Sequence, residues 1–131
     1  MKLVVGLGNP GPRYAGTRHN AGCRVVERFA QQRGIALDQR RFGGRFGRAS
    51  AELRGGIRQD VGVLLPEGYM NRSGQAVSQA VGLLPIGPLE QDLLVVFDDV
   101  DLPFGRLRLR PAGSAGVPCD ARNLSQLRMR W

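Results

Sequence analysis

The chain opens on an apolar run, Leu3-Val4-Val5-Gly6-Leu7, and stops it abruptly at Asn9-Pro10. Pro10, Gly11, Pro12 and Gly16 then forbid regular structure until about Asn20, because proline lacks a backbone donor and glycine favours no single conformation. From Asn20 to about Arg33 the apolar residues Ala21, Gly22, Val25, Val26, Phe29 and Ala30 recur at helical spacing, with Arg24, Glu27, Arg28 and Gln31 on the other face. Asn20 suits the start of that helix and Gly34 its end. A buried strand that passes through a long irregular loop into an amphipathic helix is the first unit of an α/β fold, and it limits how the rest of the chain can pack.

The remaining segments agree with that beginning. Residues 45–53 and 57–65 read as two strands joined across Arg54-Gly55-Gly56, and "PEGYMNRSG" reads as a loop. Gln75 to Leu84 predicts a second amphipathic helix, with Ala76, Val77, Ala80, Val81 and Leu84 on one side and a turn at Pro85–Pro88 beyond it. The short apolar run "DLLVVF" at 92–97 is expected as a central strand covered on both faces. The order predicts a single α/β domain over residues 1–131, with a twisted mixed sheet flanked by helices and no linker or repeat.

Charge narrows the partner. A formal net charge of +8 and a pI near 11.1 favour a polyanion, nucleic acid before a membrane surface. Of the nineteen basic residues only Lys2 is lysine, a skew that a GC-rich genome produces by itself, so the charge is informative and the choice of arginine is not. Cys23 and Cys119 have no metal-binding or disulfide spacing and fit a reducing cytoplasm. The first apolar run is too short for a signal peptide, and no segment approaches a membrane span, so a soluble, cytoplasmic protein is expected.

Several chemistries compete for the polar residues. Gly6-x-Gly8-x-x-Gly11 satisfies the bare dinucleotide pattern, but Pro10 and Pro12 prolong the loop and the acid at about the right distance, Glu27, falls inside the expected helix. Asp98, Asp99 and Asp101 at the end of an apolar strand could hold Mg²⁺ in a nuclease or phosphatase. "AGSAG" at 112–116 has Ala112 where a nucleophile elbow needs glycine. A non-catalytic RNA-binding module would need only the charge and the fold. His19 is the sole histidine, placed where the long loop enters the helix. Arg106, Arg108 and Arg110 alternate with Leu107 and Leu109; on a strand, three guanidiniums would share one face, as a phosphate-contacting stripe or as a charged edge, with the leucines packed inward.

"GLGNPGPRYAGTRHNAG", "PEGYMNRSGQAV" and "VVFDDVDLPFGRLRLRPAGSAG" together resemble three separated signature segments of the bacterial peptidyl-tRNA hydrolase family, in the family's order and spacing. The resemblance runs from Met1 to about Gly116. Family members continue with a glycine-rich loop bearing an active-site asparagine, further strands and a C-terminal helix, whereas 117–131 reads "VPCDARNLSQLRMRW", so an incomplete fold with marginal stability and weak turnover is expected. The resemblance implies hydrolysis of the ester between a peptide and the 3′ ribose of tRNA in translation recycling, by a monomer with no metal or cofactor. It assigns His19 as general base, Asp98 as its carboxylate partner and Asn9 as a contact to the peptide. It also assigns Tyr14, Tyr69 and Asn71 to tRNA or substrate and Met70 to the peptide groove. Asn9 and Asn71 are equally suited to turn and cap duty, roles compatible with substrate contact.

Overall fold

The computed structural model describes residues 1–8, 20–52, 54–68, 72–98, 102–103 and 105–109. In chain order the elements are β1 (Lys2–Gly6), α1 (Ala21–Gln32), β2 (Gln39–Arg41), β3 (Gly44–Glu52), β4 (Arg58–Pro66), α2 (Ser73–Leu83), α3 (Leu89–Asp92) and β5 (Leu93–Val96). They build one sheet in the order β2-β3-β4-β1-β5. β3 runs antiparallel to β2 and β4, and β4, β1 and β5 run parallel to one another. The expected mixed α/β sheet is therefore present.

Alternation along the strands sorts side chains to two faces. Leu3, Val5, Leu64 and Phe46 point to one side and meet Val77, Ala80 and Leu84, so α2 covers that face. Val61, Val63 and Leu65 point to the other and meet Val26, Ala30 and Ile35, so α1 covers the opposite face. Each fully buried Val or Leu contributes roughly 1.5–3 kcal/mol, so the register in which Val4 faces Val63 and Val5 faces Leu64 is strongly specified. A slip by one residue would turn both apolar rows toward the wrong helix.

The ends of α1 show why it has this length. Asn20 occupies the position before the first turn without a side-chain capping bond to it. At the other end Gly34 takes the left-handed conformation (φ +66°), which a side chain would disfavour. Its N–H donates to the Gln31 carbonyl at 3.2 Å and the Ile35 N–H to the Ala30 carbonyl at 2.9 Å, the paired bonds that close a helix and turn the chain back. Ile35 lands buried beside Ala30. The apolar stripe is narrower than its sequence suggests, since Val25 is 56% exposed.

Three expectations need correction. β5 pairs only with β1 among the described strands, and so lies at the edge of that sheet instead of at its centre. Leu93 and Val95 pack partly against the α2 side and Val96 partly against the α1 side, while Leu94 is left exposed, so an apolar run this short is only half covered. Residues 106–109 form no strand, and Leu107 and Leu109 are 97% and 87% exposed instead of packed inward, so alternation there reflects no pleated surface. β2 and α3 are additional elements, short and without the periodicity that marks longer ones.

Candidate active site

Because β4, β1 and β5 are adjacent and parallel, their carboxyl ends lie along one edge of the sheet. Each of the three segments expected to carry functional side chains leaves from that edge. β1 leads into 7–20, the segment holding Asn9, Tyr14 and His19; β4 leads into 67–72, holding Tyr69, Met70 and Asn71; β5 leads directly into Asp98. Open α/β sheets bind ligands outside the carboxyl ends of parallel strands, where helix N-termini also converge. Both α1 and α2 begin on this side, immediately after the first two segments.

Two glycines let the parts approach closely. A Cβ on Gly22, in the first turn of α1, would lie 2.3 Å from the Val96 carbonyl oxygen and 2.6 Å from that of Leu7. The Leu7 N–H donates to the Val96 carbonyl at 2.9 Å, joining the ends of β1 and β5 beneath the helix. A Cβ on Gly8 would lie 2.4 Å from Asn20 Oδ1 and 2.8 Å from Cys23 Sγ. The start of α1 thus rests on bare backbone, two residues from Asp98 along one chain segment and two from His19 along the other. Asp98 itself is half-buried.

Cys23 reports on the electrostatics of this corner. Its thiol donates to the Gly6 carbonyl at 3.4 Å and its pKa is pushed up from 9.0 to about 11. Burial is the largest cause, followed by the negative charge of Glu27; Arg45 acts against them, and Asp98 adds to the rise. A thiol held protonated is a poor nucleophile, so Cys23 serves as packing in this corner.

The opposite flank is held by ions. Glu67, at the end of β4, accepts from Arg40 Nη1 at 2.5 Å and lies 3.8 Å from Arg45 Nε, while Arg45 also pairs with Glu27 of α1. Ser73, the first residue of α2, is 1% exposed. The sequence pattern places Gly22 only on the apolar face of α1 and gives Arg45, Glu67 and Ser73 no role. The only signal there was that Gly22 and Ser73 are small residues at helix starts beside the motifs.

Of the expected site residues, Asp98 is placed beside the start of α1. Asn9, Tyr14, His19, Tyr69, Met70 and Asn71 lie outside the described residues, as do Asp99, Asp101 and Arg110. Arg106 and Arg108 are exposed. Among the described residues no helix is long and apolar enough to cross a membrane.

Among the described residues, a five-stranded mixed sheet with helices on both faces and three adjacent parallel strands defines an α/β protein of the kind that places its site at the carboxyl ends of those strands. The sequence model described as "Peptidyl-tRNA hydrolase" matches residues 3–126. A peptidyl-tRNA hydrolase of Symbiobacterium thermophilum is 54% identical over 116 residues, covering 88% of this chain and 58% of its own length. One from Syntrophotalea carbinolica is 47% identical over 127 residues, covering 97% and 63%. The crystal structure of peptidyl-tRNA hydrolase from Acinetobacter baumannii superposes with a TM-score of 0.79 at 40% identity, covering 96% of this chain and 61% of that one. The chain belongs to the peptidyl-tRNA hydrolase family. It spans about three-fifths of the length of these relatives.

Proposed function

We propose that this chain hydrolyses the ester bond joining a peptide, or an N-blocked amino acid, to the 3′ ribose of tRNA, as a single-domain cytoplasmic monomer. The observation that carries the reading is that β4, β1 and β5 end side by side where the three motif-bearing segments begin, with the Val96 carbonyl, two residues before Asp98, packed against Gly22 of α1. Neutral His19 takes a proton from water as the water oxygen attacks the ester carbonyl carbon. The tetrahedral intermediate then collapses, the bond to the ribose oxygen breaks, and the imidazolium returns its proton to that oxygen. General-base assistance of this kind is worth roughly 10²–10⁴-fold.

Asp98 accepts one ring N–H of His19, which fixes the tautomer and stabilises the imidazolium. The positive end of α1 disfavours a second proton on a nearby imidazole, keeping the base neutral between turnovers. Asn9 orients the peptide, Asn71 the substrate or water, Met70 lines the peptide groove, and Tyr14 and Tyr69 stack on the acceptor end of tRNA. No metal or cofactor takes part.

The test is release of tRNA from N-acetyl-aminoacyl-tRNA, with and without excess EDTA. Turnover that survives chelation is expected. Loss on chelation with recovery in Mg²⁺ would transfer the chemistry to Asp98, Asp99 and Asp101.

A further inference from the structure

Arg40 and Arg45 stand directly opposite each other in the antiparallel pair β2–β3. Two guanidiniums so placed repel, and like charges across a strand pair destabilise it. The structure supplies two carboxylates from elsewhere: Glu67 pairs with both arginines, and Glu27 of α1 pairs with Arg45. Glu67 is also tied through its backbone, since its N–H donates to the Gly43 carbonyl at 3.0 Å. The turn offering that carbonyl is itself fixed. Phe42, with φ +55°, is buried edge-on against Phe46 at 5.2 Å, and the Arg41 guanidinium lies over its ring at 4.6 Å.

Glu67 heads the segment that carries Tyr69, Met70 and Asn71, and buried Ser73 closes it at the start of α2. The two ends of the segment approach each other, a Cβ on Gly68 lying 3.5 Å from Arg72 Cβ. Arg45 reaches further, because the helix it grips through Glu27 begins just after His19. One guanidinium thus joins the substrate segment to the helix of the base.

We propose that Arg45 and Glu67 are positioning residues that hold the end of β4, where the segment bearing Tyr69, Met70 and Asn71 begins, in register with α1, so that substrate groups and base act on one molecule. The inference rests on the proposed esterase reading for its functional half and on geometry alone for its structural half. Exposed ion pairs add little to global stability, so the consequence of removing this one is misplacement of the segment, with the fold intact.

The experiment compares Glu67→Gln, Arg45→Gln and Arg45→Lys with Arg48→Gln, whose partner Asp60 gives an equally exposed pair on the same strand without touching the segment. Amide hydrogen exchange of 67–72 reads the clamp without any activity. Turnover of N-acetyl-aminoacyl-tRNA reads its purpose, with affinity for an uncleavable amide-linked analogue replacing KM should the parent chain lack turnover. Faster exchange at 67–72 and a KM or Kd raised about tenfold are expected for both Gln variants, with a smaller change in kcat and partial rescue in Arg45→Lys. Arg48→Gln should resemble the parent in both readouts. Unchanged exchange in the two Gln variants, or faster exchange with unchanged substrate affinity, would overturn the proposal. An inactive parent chain would overturn the esterase reading and leave the clamp to be judged by exchange and analogue binding.

Discussion

At the scale of single residues, the space around each glycine decides what a methyl group does. Gly22→Ala would drive a Cβ to 2.3 Å from the Val96 carbonyl oxygen, and backbone cannot swing aside as a side chain can. A loss of about 1–3 kcal/mol is expected, by analogy with overpacked cores, together with a fall in turnover as α1 lifts from the end of β5. Gly82, in α2 with nothing within 4 Å, is the control: Gly82→Ala should stabilise by about 0.5–1 kcal/mol, so thermal melting of the two variants should shift in opposite directions. Cys23 gives a pH prediction. Its folded pKa of about 11 lies above the ordinary 9.0, so the folded and unfolded chains bind the same proton below pH 9. Between pH 9 and 11 only the unfolded chain releases it, and this contribution to stability falls as pH rises. In a Cys119→Ala background, thiolate absorbance should appear only as pH nears 11, and earlier when Asp98→Asn removes one of the charges that raise the pKa.

Among the elements, legibility followed length and periodicity. α1, β3, β4 and α2 were readable because each repeats its apolar residues often enough for a period to show, and because Gly34 and Gly55-Gly56 punctuate them. β2, with three exposed residues, carries no such signal. For β5 the composition was clear and the position was not: an apolar run of four residues has the same pattern at a centre or at an edge, and which strand lies beside it is a property of the whole sheet. The motif residues were legible as a set, since the three segments recur together, yet the contacts that support them were invisible. The Arg45–Glu67 and Arg45–Glu27 pairs span strands and a helix far apart in sequence, and nothing local in either partner announces the other. The edge position of β5 has a measurable consequence. Leu94, 49% exposed, should accept lysine within about 0.5 kcal/mol and lower aggregation on heating, whereas Leu64, fully buried beneath α2, should lose about 2–5 kcal/mol on truncation to alanine. Light scattering and melting of Leu94→Lys and Leu64→Ala check the pair.

For the molecule as a whole, charge and topology divide the work. The net charge of +8 supplies attraction to a polyanion, so affinity for tRNA should fall steeply with salt. Replacing exposed Arg106 and Arg108 by Gln should flatten the log–log slope by roughly 0.7–0.9 for each phosphate contact removed, and an unaltered slope would leave them as solvated surface. Topology supplies the meeting place, because adjacent parallel strands release the His19 segment, the 67–72 segment and Asp98 at one edge. Whether this edge performs general-base hydrolysis is read most directly by single-turnover cleavage of N-acetyl-aminoacyl-tRNA, comparing the parent chain with His19→Ala and Asp98→Asn at matched tRNA occupancy. His19→Ala is expected to slow cleavage by at least about 10²-fold with tRNA binding retained, and Asp98→Asn to slow it less. Cleavage by His19→Ala at the parent rate would contradict the general-base assignment.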